Sequence, residues 1–122
     1  SFRDLHVWQA GMNLVEQTYK LTRQFPKSET YGLSSQVQRA IVSVPSNIAE
    51  GHSRSHIREY LHHLSIARAS LAEAATQIEI AGRLEYAPAA DIKRVLDEMA
   101  TLGRQLTALR ERLIPLLNDA KS

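Results

Sequence analysis

Apolar residues in this chain return every three or four positions, and the returns break where proline and glycine stand. That spacing lines one side of an α-helix and differs from the two-residue alternation of a half-buried strand. Four stretches carry it. The first runs from about Asp4 to Phe25, with Leu5, Trp8, Met12, Val15, Tyr19 and Thr22 in one row and Val7, Leu14 and Leu21 in a second row beside it. Pro26 ends it, because proline disfavours helical geometry in the residue before it.

Lys27 to Gly32 reads as a connection, with Gly32 free to take a positive φ. The second helix places Leu33, Val37, Ala40, Ile41, Val44 and Ile48 on one face. Pro45 falls inside this pattern and cannot donate to the carbonyl of Ile41, which predicts a kink. The apolar period continues past it, so one bent helix fits better than two short ones. Gly51 to Arg54 reads as a corner, with Ser53 or Ser55 capping the third helix. That helix carries Ile57, Tyr60, Leu61, Leu64, Ala67, Leu71, Ala75 and Ile78, and stops at Gly82 and the Leu84–Pro88 stretch. The fourth starts near Ala89 and carries Ile92, Leu96, Met99, Leu102, Leu106, Leu109 and Leu113, before Pro115 and a polar tail from Asn118 to Ser122. Short connections between amphipathic helices favour antiparallel neighbours around one core. The expected fold is all-α, an antiparallel up-and-down four-helix bundle formed as a single domain over residues 1–122.

Composition excludes several classes. The chain has no cysteine, hence no disulfide scaffold, no thiolate metal site and no cysteine nucleophile. No apolar run approaches the roughly 20 residues that span a bilayer, and the opening Ser-Phe-Arg-Asp lacks a signal-peptide pattern. The expectation is a cytoplasmic protein with no membrane partner. There is no Gly-rich phosphate loop, no Gly-x-Ser-x-Gly elbow and no His-Glu-x-x-His pair, so nothing asks for an enzyme or a cofactor.

A group of short motifs is more specific. Phe2-Arg3-Asp4-Leu5 with Val7-Trp8 opens the chain, and Phe25-Pro26 precedes Tyr31-Gly32-Leu33. Gln36, Arg39-Ala40 and Ser43-Val44-Pro45-Ser46-Asn47-Ile48-Ala49-Glu50-Gly51 follow, then Ala67-Arg68-Ala69-Ser70-Leu71-Ala72-Glu73. Together they resemble the four-helix-bundle family of proteins encoded by intervening sequences in bacterial 23S ribosomal RNA genes, once counted among ribosomal proteins. The accessory variability determinant of diversity-generating retroelements is a relative. The resemblance covers roughly residues 2 to 85 and is strongest over Ser43–Gly51. Tyr60 stands where the family pattern has phenylalanine, and Ala69 where glycine is common. The resemblance implies a homo-oligomer, typically a pentameric ring, without known catalytic activity. It further implies nucleic-acid binding through a basic surface and, in the retroelement relative, binding to a reverse transcriptase.

At about 100° per residue, Gln36, Arg39, Ser43, Asn47 and Glu50 form one polar stripe on the second helix, opposite its apolar face. The stripe reads either as solvated surface or, with Pro45, as a subunit contact in an oligomer. A local account also exists, in which small polar side chains satisfy the carbonyl that Pro45 exposes. For nucleic acid the candidates are Arg54, Arg58, His62 and Arg68 around the third helix, with Lys20, Arg23 and Lys27 at the end of the first. The formal net charge is only +2, so an oligomer that repeats the patch is needed to raise avidity. The rival is a solvated bundle surface, since Glu59, Asp97, Glu98 and Glu111 intersperse the cations. His56, Glu59 and His63 share one helix side at metal-ligand spacing, but the Glu59–His62 pair lacks the second pair of a di-iron bundle. No metal is assigned. The leading expectation is a non-enzymatic, homo-oligomeric nucleic-acid-binding or adaptor module. The alternative is a protein-binding scaffold for a partner enzyme such as a reverse transcriptase.

Overall fold

A computed structural model describes the backbone of residues 1–121 and the side chains of residues 1–118. Helices α1 (His6–Thr22), α2 (Leu33–His52), α3 (Ile57–Arg83) and α4 (Ala89–Leu113) follow in order, and a short α5 (Leu116–Lys121) closes the described chain. Single 3-10 turns at Phe2–Asp4 and Lys27–Glu29 precede α1 and α2. The chain is all-α, with no strand among the described residues.

Cross-links between helices establish the antiparallel order. Gln38 Nε2 donates to Thr22 Oγ1 at 3.1 Å near one end of the α1–α2 pair, while Gly11 meets Pro45 further along it. Gln77 approaches Gln36 and His63 approaches Asn47, so α3 runs back along α2. Gln24 Nε2 donates to Asp91 Oδ2 at 3.4 Å, joining the end of α1 to the start of α4. The helices therefore pack in cyclic order as an up-and-down bundle, with α2 and α3 in the most extensive contact.

The core is filled by Val37, Ile41, Val44 and Ile48 of α2, Leu64, Ala67, Leu71, Ala74 and Ile78 of α3, and Val95, Met99, Leu102 and Leu106 of α4. In α1 the two expected rows exchange importance. Val7, Leu14 and Leu21 face the core with Gly11 and Thr18, whereas Met12 and Tyr19 stay exposed. The reason is the neighbour: a Cβ on Gly11 would stand 3.3 Å from Pro45 Cβ, so α1 rests on α2 along the Gly11 side. Pro45 is buried there, inside a helix that continues unbroken to His52.

Three local expectations change. Gly32 keeps a negative φ of −110°; the left-handed residue is Glu85, at φ 60°. It sits just past α3, where Tyr86 N–H reaches Ala81 O at 2.9 Å and Glu85 N–H reaches Gly82 O at 3.1 Å, the double closure of a helix C-terminus. Neither Ser53 nor Ser55 caps α3. His56 holds the N-cap position in extended geometry without a side-chain cap bond, and Ser53 Oγ instead donates to Ala49 O at 2.9 Å at the end of α2. Asn118 to Lys121 of the expected polar tail belong to α5, since Pro115 can stand ahead of a helix as readily as it ends one, and Ser122 lies outside the described residues.

Candidate nucleic-acid interface

The corner between α2 and α3 is built by a close approach. A Cβ on Gly51 would stand 2.7 Å from His63 Cβ and 3.1 Å from Tyr60 Cδ1, so only a residue without a side chain lets the two helices meet there. Tyr60 is buried, with its ring edge-to-face on His52 at 5.7 Å. Burial raises its hydroxyl pKa, opposed by the charge of Arg112, which places the last turn of α4 near the same end. Around this corner Arg54, Arg58, Glu59, His62 and His63 rim a shallow surface depression of about 510 Å³. Arg54, Arg58 and His62 are exposed. Arg54 Nη2 pairs with Glu50 Oε1 at 3.0 Å, with both side chains about half exposed, so the cation is partly neutralised by its own helix-turn neighbour.

The other cationic candidates lie elsewhere. Lys20 and Arg23 border a depression with Val15, Glu16 and Tyr19, and Lys27 is exposed in the 3-10 turn that follows. That is the opposite end of the bundle, because α1 and α2 are antiparallel. Arg68 lines a third place, the groove between α3 and α4. The seven residues thus occupy three separate regions of one chain: Arg54, Arg58 and His62 share one surface depression, Lys20 and Arg23 share another with Lys27 beyond them, and Arg68 stands apart in the groove.

The polar stripe of α2 borders α3 of the same chain along much of its length. Ser43 Oγ and Ser70 Oγ are 2.9 Å apart. Asn47 Nδ2 donates to the Ser43 carbonyl at 2.9 Å and to Ser43 Oγ at 3.0 Å, which leaves Asn47 Oδ1 facing His63 Nδ1 at 3.0 Å. Gln77 Nε2 donates to Gln36 Oε1 and to Glu73 Oε1, both at 3.4 Å. Arg39 is exposed and donates to Ser35 Oγ at 3.3 Å. Beside Pro45, Ser46 Oγ donates to the Val42 carbonyl at 2.8 Å. The side chains after the proline therefore bond the carbonyls of Val42 and Ser43, not that of Ile41.

Among the described residues no three histidines or carboxylates gather closely enough to hold a metal ion. His56 precedes α3 with extended backbone, and His63 is turned to Asn47. One arrangement is absent from the sequence reading altogether. Glu29 Oε1 accepts the Leu33 N–H at 3.1 Å, capping α2, while Tyr86 Oη donates to Glu29 Oε2 at 2.7 Å. These bonds hold the Glu29 carboxyl below its ordinary pKa and raise that of Tyr86. The available signal was a glutamate just before a helix start; its partner is 57 residues away in the chain.

No described helix is long and apolar enough to cross a membrane. The sequence pattern of the family described as 23S rRNA-intervening sequence protein matches residues 3–108. No curated protein matches the chain. Among solved structures, a protein of unknown function from the S23 ribosomal protein family of Bacteroides thetaiotaomicron superposes with a TM-score of 0.77 at 18% identity, over 85% of this chain and 97% of that one. At that identity the likeness concerns the fold.

Proposed function

Because the chain belongs to the 23S rRNA-intervening sequence protein family, we propose that it is a non-enzymatic, cytoplasmic homo-oligomer, a ring of five bundles, that binds RNA or DNA. The observation that carries this reading is the α2–α3 corner, where Arg54, Arg58 and His62 rim one exposed depression. Guanidinium groups there neutralise phosphates and release counterions. A single corner is weak, since Glu50 and Glu59 stand among the cations. Repetition around a ring turns weak contacts into avid binding.

The test is fluorescence anisotropy with labelled single-stranded RNA and DNA across a salt series. The logarithm of the affinity should fall with log salt by about 0.7 for each phosphate neutralised. Arg54→Glu with Arg58→Glu should weaken binding at least tenfold, whereas Lys27→Glu, at the opposite end of the bundle, should change it little. Absence of binding by an intact oligomer rejects the nucleic-acid reading. The Glu50–Arg54 pair favours the second reading, a scaffold for a partner enzyme, because a surface of mixed sign suits a protein better than a polyanion. Such a scaffold should purify free of nucleic acid.

A further inference from the structure

We infer that the α1–α2 face of one copy seats in the α3–α4 groove of the next, so that the chain assembles head to tail through two different patches. The inference rests on the homo-oligomer reading above and names its interface.

The first observation is an uncovered apolar ridge. Met12 and Tyr19 are 42% and 37% exposed, and Trp8 and Val15 lie half-buried beside them. Val42, 40% exposed, extends the ridge onto α2. It stands one turn before Pro45, whose ring touches Gly11, and so lies on the flank of α2 that borders α1.

The second is a groove of about 930 Å³ between α3 and α4. Leu71, Leu96 and Met99 lie along it, and alanines and Gly103 keep it open to large side chains. In a bundle packed in cyclic order, the α1–α2 and α3–α4 faces lie on opposite sides. Two different patches on opposite sides make a heterologous contact, which builds a ring when the rotation closes.

Charge supplies the third observation and identifies the occupant. Gly11 is level with Pro45, and the Ser43–Ser70 and Asn47–His63 bonds bracket Pro45 against α3. Met12 is therefore about level with Arg68. Rotation about an axis parallel to the bundle preserves these levels and keeps a neighbour's α1 parallel to α3. Glu16 of one copy then stands within about one turn of Arg68 and Arg104 of the next, and Arg23 within about one turn of Glu79. Arg68, Arg104 and Glu79 all line the groove. The ridge and the groove thus match in apolar character, in height and in the order of their charges, so the fitting partner is a second copy of this chain.

The chain has no cysteine, which makes thiol cross-linking free of background. Tyr19→Cys and Ala72→Cys, each an exposed position at nearly the same height, are placed in separate copies and co-expressed. A short bis-maleimide should give covalent dimers in the co-expressed sample and none with either variant alone. The Tyr19→Cys/Ala72→Cys double variant should give a ladder of linked copies. Glu16→Arg should weaken self-association at least tenfold, and Arg68→Glu with Arg104→Glu should restore most of it. An oligomer by light scattering that does not cross-link in the mixed sample overturns this interface and leaves the homo-oligomer reading standing. A monomer overturns both.

Discussion

Asn47 Oδ1 and His63 Nδ1 stand 3.0 Å apart, joining the middle of the Ser43–Gly51 motif to α3 of the same chain. Because the Asn47 amide group also donates to the Ser43 carbonyl, its orientation is set and His63 donates from Nδ1. Asn47→Ala removes the bonds to Ser43 and to His63 and should cost about 1–2 kcal/mol in urea unfolding. Ser46→Ala is the control. Its exposed hydroxyl donates to the Val42 carbonyl one turn back, so the change should stay within about 0.5 kcal/mol.

Gly51 yields a prediction of unusual sign. Glycine to alanine inside a helix ordinarily stabilises by about 0.5–1 kcal/mol. Here the added methyl meets His63 Cβ at 2.7 Å, an atom fixed to the α3 backbone. Gly51→Ala should instead destabilise by about 1–3 kcal/mol through forced separation of α2 and α3. A rise in thermal midpoint would refute the close-packed corner.

The Glu29–Tyr86 bond makes stability depend on pH in two places. Glu29 has its folded pKa below the ordinary 4.5, so its contribution is complete above that value and is lost as pH falls through the lowered pKa. Tyr86 has its folded pKa above 10.0, so its contribution is complete below that value and is lost as pH rises through the raised pKa. The stability difference between the native chain and Tyr86→Phe should be level from about pH 5 to 9 and shrink outside that window. A difference that does not vary with pH would show that the bond is not formed in solution.

Glu85 adopts φ 60° at the end of α3, a conformation that is costly for a residue with a Cβ and easy for glycine. Glu85→Gly should therefore raise stability by about 1 kcal/mol and the thermal midpoint by a few degrees. An unchanged or lower midpoint would mean that the Glu85 side chain offsets the strain.

How much of this was legible beforehand differs from helix to helix. The face of α2 was readable because Val37, Ile41, Val44 and Ile48 form one continuous row with a polar stripe behind it. In α1 two apolar rows lie side by side, and periodicity alone cannot say which one faces inward. Gly11, which carries no hydrophobic signal, settled the matter by admitting Pro45. The polar stripe was visible as a stripe, but its link to α3 was not, because Ser70 and His63 are 27 and 16 residues from their partners. The same distance hid the role of Glu29. The cationic candidates looked like one set along the chain and separate into three regions in space, since antiparallel packing sends the ends of α1 and α2 to opposite poles.

The chain's own pattern determined the four long helices, their approximate limits and the all-α character of the described residues, because helical period and chain breaks are properties of neighbouring residues. Only the folded bundle decided which α1 residues stay uncovered, where the Ser43–Gly51 motif finds its partners and which arginines share a surface. Those outcomes depend on contacts between residues distant in sequence, and such contacts exist only once the helices have chosen their neighbours.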